Sequence, residues 1–111
     1  MHMTHSSTIN IEVQLDEQKL PSNIVWKALG SSRDKPQQAK AMLLGFWDTT
    51  EQSALRIDLW TKDMMVNEMA DFFFQTLMSM ADTYERATQQ KELVYAIKEF
   101  AKDFYKKSRE V

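Results

Sequence analysis

The stretch KAMLLGFWDTTEQSALRIDLWT, residues 40–61, decides the fold because it predicts its own pairing partner. Placing Asp48 opposite Ser53 leaves residues 49–52 as a four-residue loop, which is a common hairpin connection. In this register the large apolar side chains of both strands fall on one face, as the cross-strand pairs Met42–Leu59, Leu44–Ile57 and Phe46–Leu55. We therefore predict an antiparallel hairpin of residues 40–48 and 53–61.

The second face of this hairpin is only partly polar. Leu43, Trp47 and Trp60 share it with Arg56 and Asp58, two opposite charges that stand two residues apart on one strand. Aromatic residues and Arg are enriched at protein interfaces, so this face is a candidate protein-contact surface. The alternative, weighed equally, is an exposed ion pair on an ordinary sheet surface that contributes less than about 1 kcal/mol.

Two further strands are predicted before the hairpin. Apolar and polar side chains alternate in residues 8–15, as in a strand with one buried face. Residues 16–23 contain Pro21 and are interpreted as a turn, because proline fixes its own φ and lacks the N–H of a sheet ladder. Residues 24–29 then form a short strand, and residues 30–36, with a glycine and a proline, form the long loop.

After residue 65 the apolar period changes from 2 to about 3.6, which predicts a long amphipathic helix from Val66 to about Thr88. Phe72 on one flank of its apolar stripe, and Phe74 and Met78 on the other, widen the apolar surface beyond what one sheet face can cover. A second helix over residues 91–108 can cover one flank. We therefore add Phe72, Phe74 and Met78 to the candidate interface residues.

Four strands followed by two helices predict an α+β fold. We expect a four-stranded antiparallel sheet, then the long helix and the C-terminal helix, packed in two layers. Residues 1–7 are expected to form a flexible N-terminus, residues 8–108 a single domain, and residues 109–111 a C-terminal tail.

Composition restricts the chemistry. The chain has 111 residues, a net charge of −2, no Cys and only two His, both within the first five residues. Thiol chemistry and nearly all imidazole chemistry are thereby removed. No nucleophile elbow, phosphate loop, dinucleotide fingerprint or zinc-ligand spacing occurs. Acidic pairs such as Asp82 and Glu85 lie opposite the apolar stripe and are interpreted as solvent-facing. We predict no enzyme activity, no catalytic residue, no cofactor and no metal site.

Partners and location are predicted from charge and from apolar runs. A pI near 5.6 argues against nucleic-acid binding, which usually shows a basic excess. No apolar run approaches the roughly 20 residues that cross a bilayer, so we expect no integral membrane segment. The first residues lack the features of a secretion signal. We expect a cytoplasmic protein, with a peripheral position at the cell envelope left open.

Several stretches resemble the gliding motility-associated protein GldC family. They are residues 55–64 (LRIDLWTKDM), 73–77 (FFQTL) and 80–88 (MADTYERAT), with residues 40–42 and 47–48 also fitting. The resemblance spans roughly residues 5–105, which is far more specific than a short motif. It departs at Met65, where the family has proline, and at Tyr84, where phenylalanine is common. Neither departure touches chemistry, although proline at the first helical position would mark the helix start more sharply.

The resemblance implies an accessory component of a surface-gliding apparatus, without known enzymatic activity or cofactor and without catalytic residues to carry over. Our leading hypothesis is a non-enzymatic accessory protein of gliding motility that forms a homo-oligomer and contacts an unknown protein of the gliding machinery. The alternative is a chaperone-like binder of unfolded or exported client proteins, because four strands followed by two helices is the element order of the export chaperone SecB. That alternative is an analogy of fold and identifies no binding residues.

Overall fold

The structure is a computed structural model, and it describes residues 5–110. Residues 1–4 of the predicted flexible N-terminus and Val111 of the predicted tail lie outside the described residues. The chain divides into two compact units, one ending at Met64 and the other beginning at Met65. The described strands lie in the first unit and the described helices in the second, so the predicted α+β class is confirmed.

The first unit contains two antiparallel sheets. Its strands are β1 (Ile9–Leu15), β2 (Pro21–Ala28), β3 (Gln37–Ala39), β4 (Ala41–Asp48) and β5 (Ser53–Trp60). One sheet has the order β1-β2-β3, and the other consists of β4 and β5. The prediction of one four-stranded sheet is therefore wrong.

The two sheets separate at Lys40. The carbonyl of Lys40 accepts the N–H of Thr61 at 2.7 Å, which extends the β4–β5 ladder by one step. At the start of β2, Pro21 has no N–H to offer to another strand. The hydroxyl of Ser22 donates to the carbonyl of Gln14 in β1 at 3.1 Å, on the other side of β2. β2 pairs with β3 alone on this side and does not continue onto β4.

The start of β2 and the presence of β3 also differ from the prediction. β2 begins at Pro21 rather than at Ile24, because proline is tolerated at the first residue of a strand. The preceding turn is correspondingly short, since the carboxylate of Asp16 accepts the N–H groups of Gln18 and Leu20 at 2.8 and 3.0 Å. β3 was not predicted at all, because three residues are too few to show an alternating pattern.

The hairpin prediction is confirmed. Asp48 lies opposite Ser53, and every predicted apolar cross-strand pair of β4 and β5 is in register. A carboxylate oxygen of Asp48 accepts the N–H of Glu51 at 2.8 Å and so closes the loop. The two faces of the hairpin are therefore those expected from the sequence.

The second unit is a helical hairpin. It consists of α1 (Val66–Thr88) and α2 (Lys91–Ser108), whose bounds are those predicted. The N–H of Met65 donates to the carboxylate of Glu68 at 3.0 Å, which caps the start of α1. Gln89 adopts the left-handed conformation, with φ at 59°, and ends α1. The short turn that follows makes the two helices antiparallel.

The two helices pack along a seam of small and aromatic side chains. Ala81 of α1 and Val94 and Ala101 of α2 are buried there. The ring of Phe74 lies 4.6 Å from the ring of Tyr105, centroid to centroid. α2 therefore covers one flank of the apolar stripe of α1, as expected. The expected packing of sheet and helices in two layers stays a prediction.

Candidate protein-interaction surfaces

The β4–β5 register brings the five predicted hairpin residues together on one face. We call Leu43, Trp47, Arg56, Asp58 and Trp60 the tryptophan face. Leu43 lies directly opposite Asp58, and the other three occupy neighbouring positions on the same side of the two strands. Trp47 is 68% exposed and Trp60 is 59% exposed. The sequence-based grouping of these residues is thus reproduced as a continuous, largely exposed surface.

The charged pair within the tryptophan face has a forked geometry. Arg56 Nε lies 3.2 Å from one oxygen of Asp58, and Arg56 Nη2 lies 2.9 Å from the other. Gly45, opposite Arg56, leaves room for the guanidinium, since a Cβ added there would lie 3.1 Å from Nη1. Both side chains are nearly half exposed, so the pair contributes less than about 1 kcal/mol to stability. On the tryptophan face the pair lies between Trp47 and Trp60.

An open, mainly apolar cleft adjoins Trp60. It has a volume of about 360 Å³ and is lined by Leu20, Pro21, Asp58, Leu59, Trp60 and Lys62. At its rim the Lys62 ammonium lies 3.3 Å from Asp16. The backbone N–H of Leu20 is the main cause that lowers the pKa of Asp16, with Lys62 acting in the same direction. An apolar floor with a few charged groups at the rim is the usual composition of a binding cleft.

A second apolar cleft links the tryptophan face to the three-stranded sheet. It has a volume of about 250 Å³, and its lining includes Ile9, Ile11, Ile24, Trp26, Ala41 and Leu43. Ile24 is almost completely buried. Trp26 was not among the predicted interface residues, although Trp26 and Ile24 are two residues apart in one strand and therefore face the same side of the sheet.

The opposite face of the hairpin is also incompletely covered. Phe46, Leu55 and Ile57 belong to the large apolar side chains that the predicted register places on one face, and each is about half exposed. Both faces of the β4–β5 pair therefore carry accessible apolar side chains.

The three predicted interface residues of α1 occupy different positions. Phe74 stacks on Tyr105 and belongs to the helix seam. Phe72 and Met78 are half-buried, and Phe72 meets Phe73 edge to face with ring centroids 6.5 Å apart. Other large apolar side chains of this unit are exposed and were not predicted as interface residues; among residues 65–110 they are Met65, Val66, Phe73, Met80, Leu93, Tyr95 and Phe100.

Charged side chains also link the two helices, and we call the region of Asp71, Asp82, Lys98 and Arg109 the charged flank. Lys98 Nζ lies 2.9 Å from Asp82, and this hydrogen bond raises the pKa of Lys98. Arg109 forms an ion pair with Asp71 and stacks 4.6 Å from the ring of Tyr105. The carboxylate of Asp82, which was interpreted from the sequence as solvent-facing, is therefore engaged in an ion pair between the helices.

Within residues 5–110 the structure contains neither a candidate metal cluster nor a helix that could span a membrane. No group of three or more His, Asp or Glu side chains is arranged to hold a metal ion within this part of the chain. Neither α1 nor α2 is long and apolar enough to cross a membrane.

Comparison with known proteins identifies one family. The family model described as gliding motility-associated protein GldC-like matches residues 21–110, from the first residue of β2 to beyond the end of α2. No curated protein and no solved structure matches the chain.

Proposed function

The chain belongs to the gliding motility-associated GldC-like family, and on that basis we propose that it is a non-enzymatic accessory protein of gliding motility. It acts through self-association and through contacts with a protein of the gliding machinery. The observation that supports this most is the exposure of Trp47 and Trp60 on one face, with Trp60 also lining an apolar cleft. Contiguous apolar patches of more than a few hundred Å² are rare on monomers and mark interaction sites.

The binding free energy available from burying Trp60 is large enough for a specific contact. A tryptophan can bury up to roughly 250 Å², and Trp60 is 59% exposed. At about 25 cal/mol per Å², burial of that exposed part contributes up to roughly 4 kcal/mol before ordering costs. Tryptophan and arginine are the side chains that most often dominate interface energies. Trp60, which shares the tryptophan face with Arg56, is therefore the side chain whose loss should weaken partner binding most.

The test of the partner contact is genetic complementation in a gliding strain whose own family member has been removed. The wild-type chain should restore colony spreading, and Trp60→Ala should reduce it. Tyr95→Ala is the matched control, because Tyr95 is an aromatic residue of α2 that is 66% exposed and lies outside the tryptophan face. Full restoration by Trp60→Ala would contradict a role of the tryptophan face.

The test of self-association is light scattering of the purified full chain at micromolar concentration. The expected mass is a multiple of the 13.0 kDa monomer. A strict monomer over the whole concentration range would contradict the self-association half of the proposal.

We further propose that the protein works in the cytoplasm, peripheral to the cell envelope where the gliding machinery acts. Cell fractionation tests this location. The protein should be released from the membrane fraction by high salt or by loss of its partner, and release only by detergent would oppose it.

A second candidate function is chaperone-like binding of unfolded or exported clients. The observation in its favour is the pair of open apolar clefts in the first unit, of about 360 and 250 Å³. A client binder should delay the aggregation of several unrelated unfolded proteins at equimolar concentration. Failure with all of them would exclude this candidate and leave the accessory function in place.

A further inference from the structure

β1 is the outer strand of the three-stranded sheet. It pairs with β2 on one side, and no strand pairs with its other side among residues 5–110. Most of its side chains are exposed. The main-chain groups that point away from β2 therefore form an open edge.

Two hydrogen bonds identify which residues form that edge. The carbonyl of Thr8 accepts the N–H of Leu29 at 2.9 Å, so the main chain of Thr8 faces β2. The N–H of Ala28, which lies opposite Ile9, instead donates to Arg33 at 2.7 Å, away from β1. In an antiparallel pair the direction of these groups alternates along the strand.

The alternation makes Ile9, Ile11 and Val13 the residues whose N–H and C=O groups point outward. This edge lacks the usual protections against pairing. Residues 9–13 contain no proline and no lysine, their only charge is Glu12, and the ladder is regular until the shift between Gln14 and Leu15.

We propose that β1 pairs antiparallel with β1 of a second copy of this chain, about a two-fold axis at Ile11. Ile11 then lies opposite Ile11 of the second copy, and Ile9 lies opposite its Val13. The two three-stranded sheets join into one continuous sheet. The inference rests on the self-association proposed above and assigns it a surface and a register.

The main-chain groups favour this register over others. The three outward residues are symmetric about Ile11, so each meets another outward residue and exchanges two hydrogen bonds with it, roughly six bonds in all. An axis shifted to Glu12 would keep fewer of these bonds and would place two Glu12 carboxylates directly opposite each other, which is unfavourable.

The side chains are also self-complementary in this register. On one face Ile9, Ile11 and Val13 meet only one another. On the other face Asn10 lies opposite Glu12 of the second copy, so that an amide donor faces a carboxylate acceptor, and the symmetry repeats the contact. Ile9 and Ile11 also line the 250 Å³ cleft, so pairing brings the apolar clefts of two copies onto the same side of the joined sheet.

Disulfide trapping of the full chain tests the register directly, because the natural sequence contains no cysteine. Ile11→Cys should form a cross-linked dimer, since opposite Cα atoms in a hydrogen-bonded pair are about 5.5 Å apart and within disulfide range. Ile9→Cys and Val13→Cys should each fail alone and should cross-link when mixed, because like residues are then roughly 13 Å apart along the strand. Glu51→Cys, in the exposed hairpin loop, measures random collision.

A charge variant supplies a second test that leaves the fold intact. Asn10→Asp places a carboxylate opposite Glu12 of the second copy, whereas within the chain position 10 lies opposite Lys27 and gains attraction. The dimer dissociation constant should therefore rise about ten-fold, from two like-charge pairs of about 0.7 kcal/mol each, without loss of thermal stability. Adding Glu12→Gln should restore dimerisation.

The outcomes separate this inference from the proposed function. Cross-linking at Ile11→Cys and between Ile9→Cys and Val13→Cys, with weakening by Asn10→Asp, supports the pairing. If Ile9→Cys, Ile11→Cys and Val13→Cys each cross-link to a second copy of the same variant, the two chains are arranged differently and the proposed pairing is overturned. If the β1 cysteine variants cross-link no faster than Glu51→Cys although light scattering shows that the sample is oligomeric, the β1 pairing is overturned. Self-association then still stands.

Discussion

Replacement of Thr61 by valine should destabilise the first unit and remove part of its sensitivity to acid. Thr61 is 1% exposed, directly after the last residue of β5. Its hydroxyl donates to the carboxylate of Asp63 and lies 3.2 Å from the carbonyl of Lys40. This residue therefore holds the point at which the two sheets separate.

The size of the effect follows from what valine retains. Thr61→Val keeps the shape of the side chain and keeps the main-chain bond from Thr61 N–H to Lys40 at 2.7 Å. Only the hydroxyl bond is lost, and Asp63 is exposed enough to be rehydrated. A buried hydroxyl bond contributes about 1 kcal/mol. At a urea dependence of about 1–3 kcal/mol per M, the unfolding midpoint should fall by roughly 0.3–1 M.

The acid dependence has a definite sign. The hydrogen bond from Thr61 is the main cause that lowers the pKa of Asp63 below its ordinary value of 3.8. A carboxyl whose pKa is lowered by folding contributes stability above its unfolded pKa, and this contribution is lost as the pH falls through the folded pKa. In Thr61→Val the pKa of Asp63 should move back toward 3.8, so less stability is lost between pH 5 and pH 2.

Urea titrations followed by tryptophan fluorescence provide the assay, because all three Trp residues lie in the first unit. Thr61→Ser is the control, since it loses a methyl group and keeps the hydroxyl donor. It should be destabilised at neutral pH and should keep the lowered pKa of Asp63. A Thr61→Val protein with the wild-type midpoint at pH 7 and the wild-type acid dependence would refute the reasoning.

Three further predictions concern the helix seam, the charged flank and the first turn. Ala101→Leu should overpack the seam and cost about 1–3 kcal/mol in thermal unfolding followed by circular dichroism, while Ala87→Leu, at an exposed position of α1, should stay within about 0.5 kcal/mol of wild type. Arg109→Ala should cost roughly 0.5–1 kcal/mol, through loss of an ion pair and a ring contact, and 1 M salt should diminish the difference; equal stability would show that neither contact matters. Asp16→Asn can still accept the N–H of Leu20 but cannot ionise. Below pH 3.8 the lowered pKa of Asp16 makes its protonation costly in the wild type, so the urea midpoint of Asp16→Asn should fall less than that of the wild type. An unchanged acid dependence would contradict this.

The parts of the fold that could be predicted are those encoded by local periodicity. The hairpin register follows from apolar side chains that match only when Asp48 faces Ser53. The bounds of α1 and α2 follow from the change of period after residue 65 and from the two polar residues that separate the helices. In each case neighbouring residues carry the whole signal.

The division into two sheets could not be predicted in this way. It depends on which strand takes the hydrogen bonds of residues near Lys40, and that choice involves Thr61, 21 residues along the chain. Pro21 was interpreted as part of a turn, whereas it is the first residue of β2, a position at which proline is tolerated in a strand. Such competition between distant partners leaves no periodic trace in the sequence.

The candidate interaction surface was also predictable only where local strand register determines it. The tryptophan face was grouped correctly because strand register determines which side chains share a face. Trp26 was missed because its place beside Leu43 depends on how the three-stranded sheet meets β4. Phe74 was grouped with an exposed belt, but which flank of α1 lies against α2 is determined by packing between the helices.

The separation of the sheets at Lys40 has a consequence for how this chain can diverge. Strand 37–39 takes its register from β2, and strand 41–48 takes its register from β5. Because side chains alternate with a period of two, residues inserted in pairs near the hairpin tip lengthen β4 and β5 without reversing either face. We therefore expect homologues to differ in the length of the β4–β5 hairpin while β1, β2 and β3 keep their alignment.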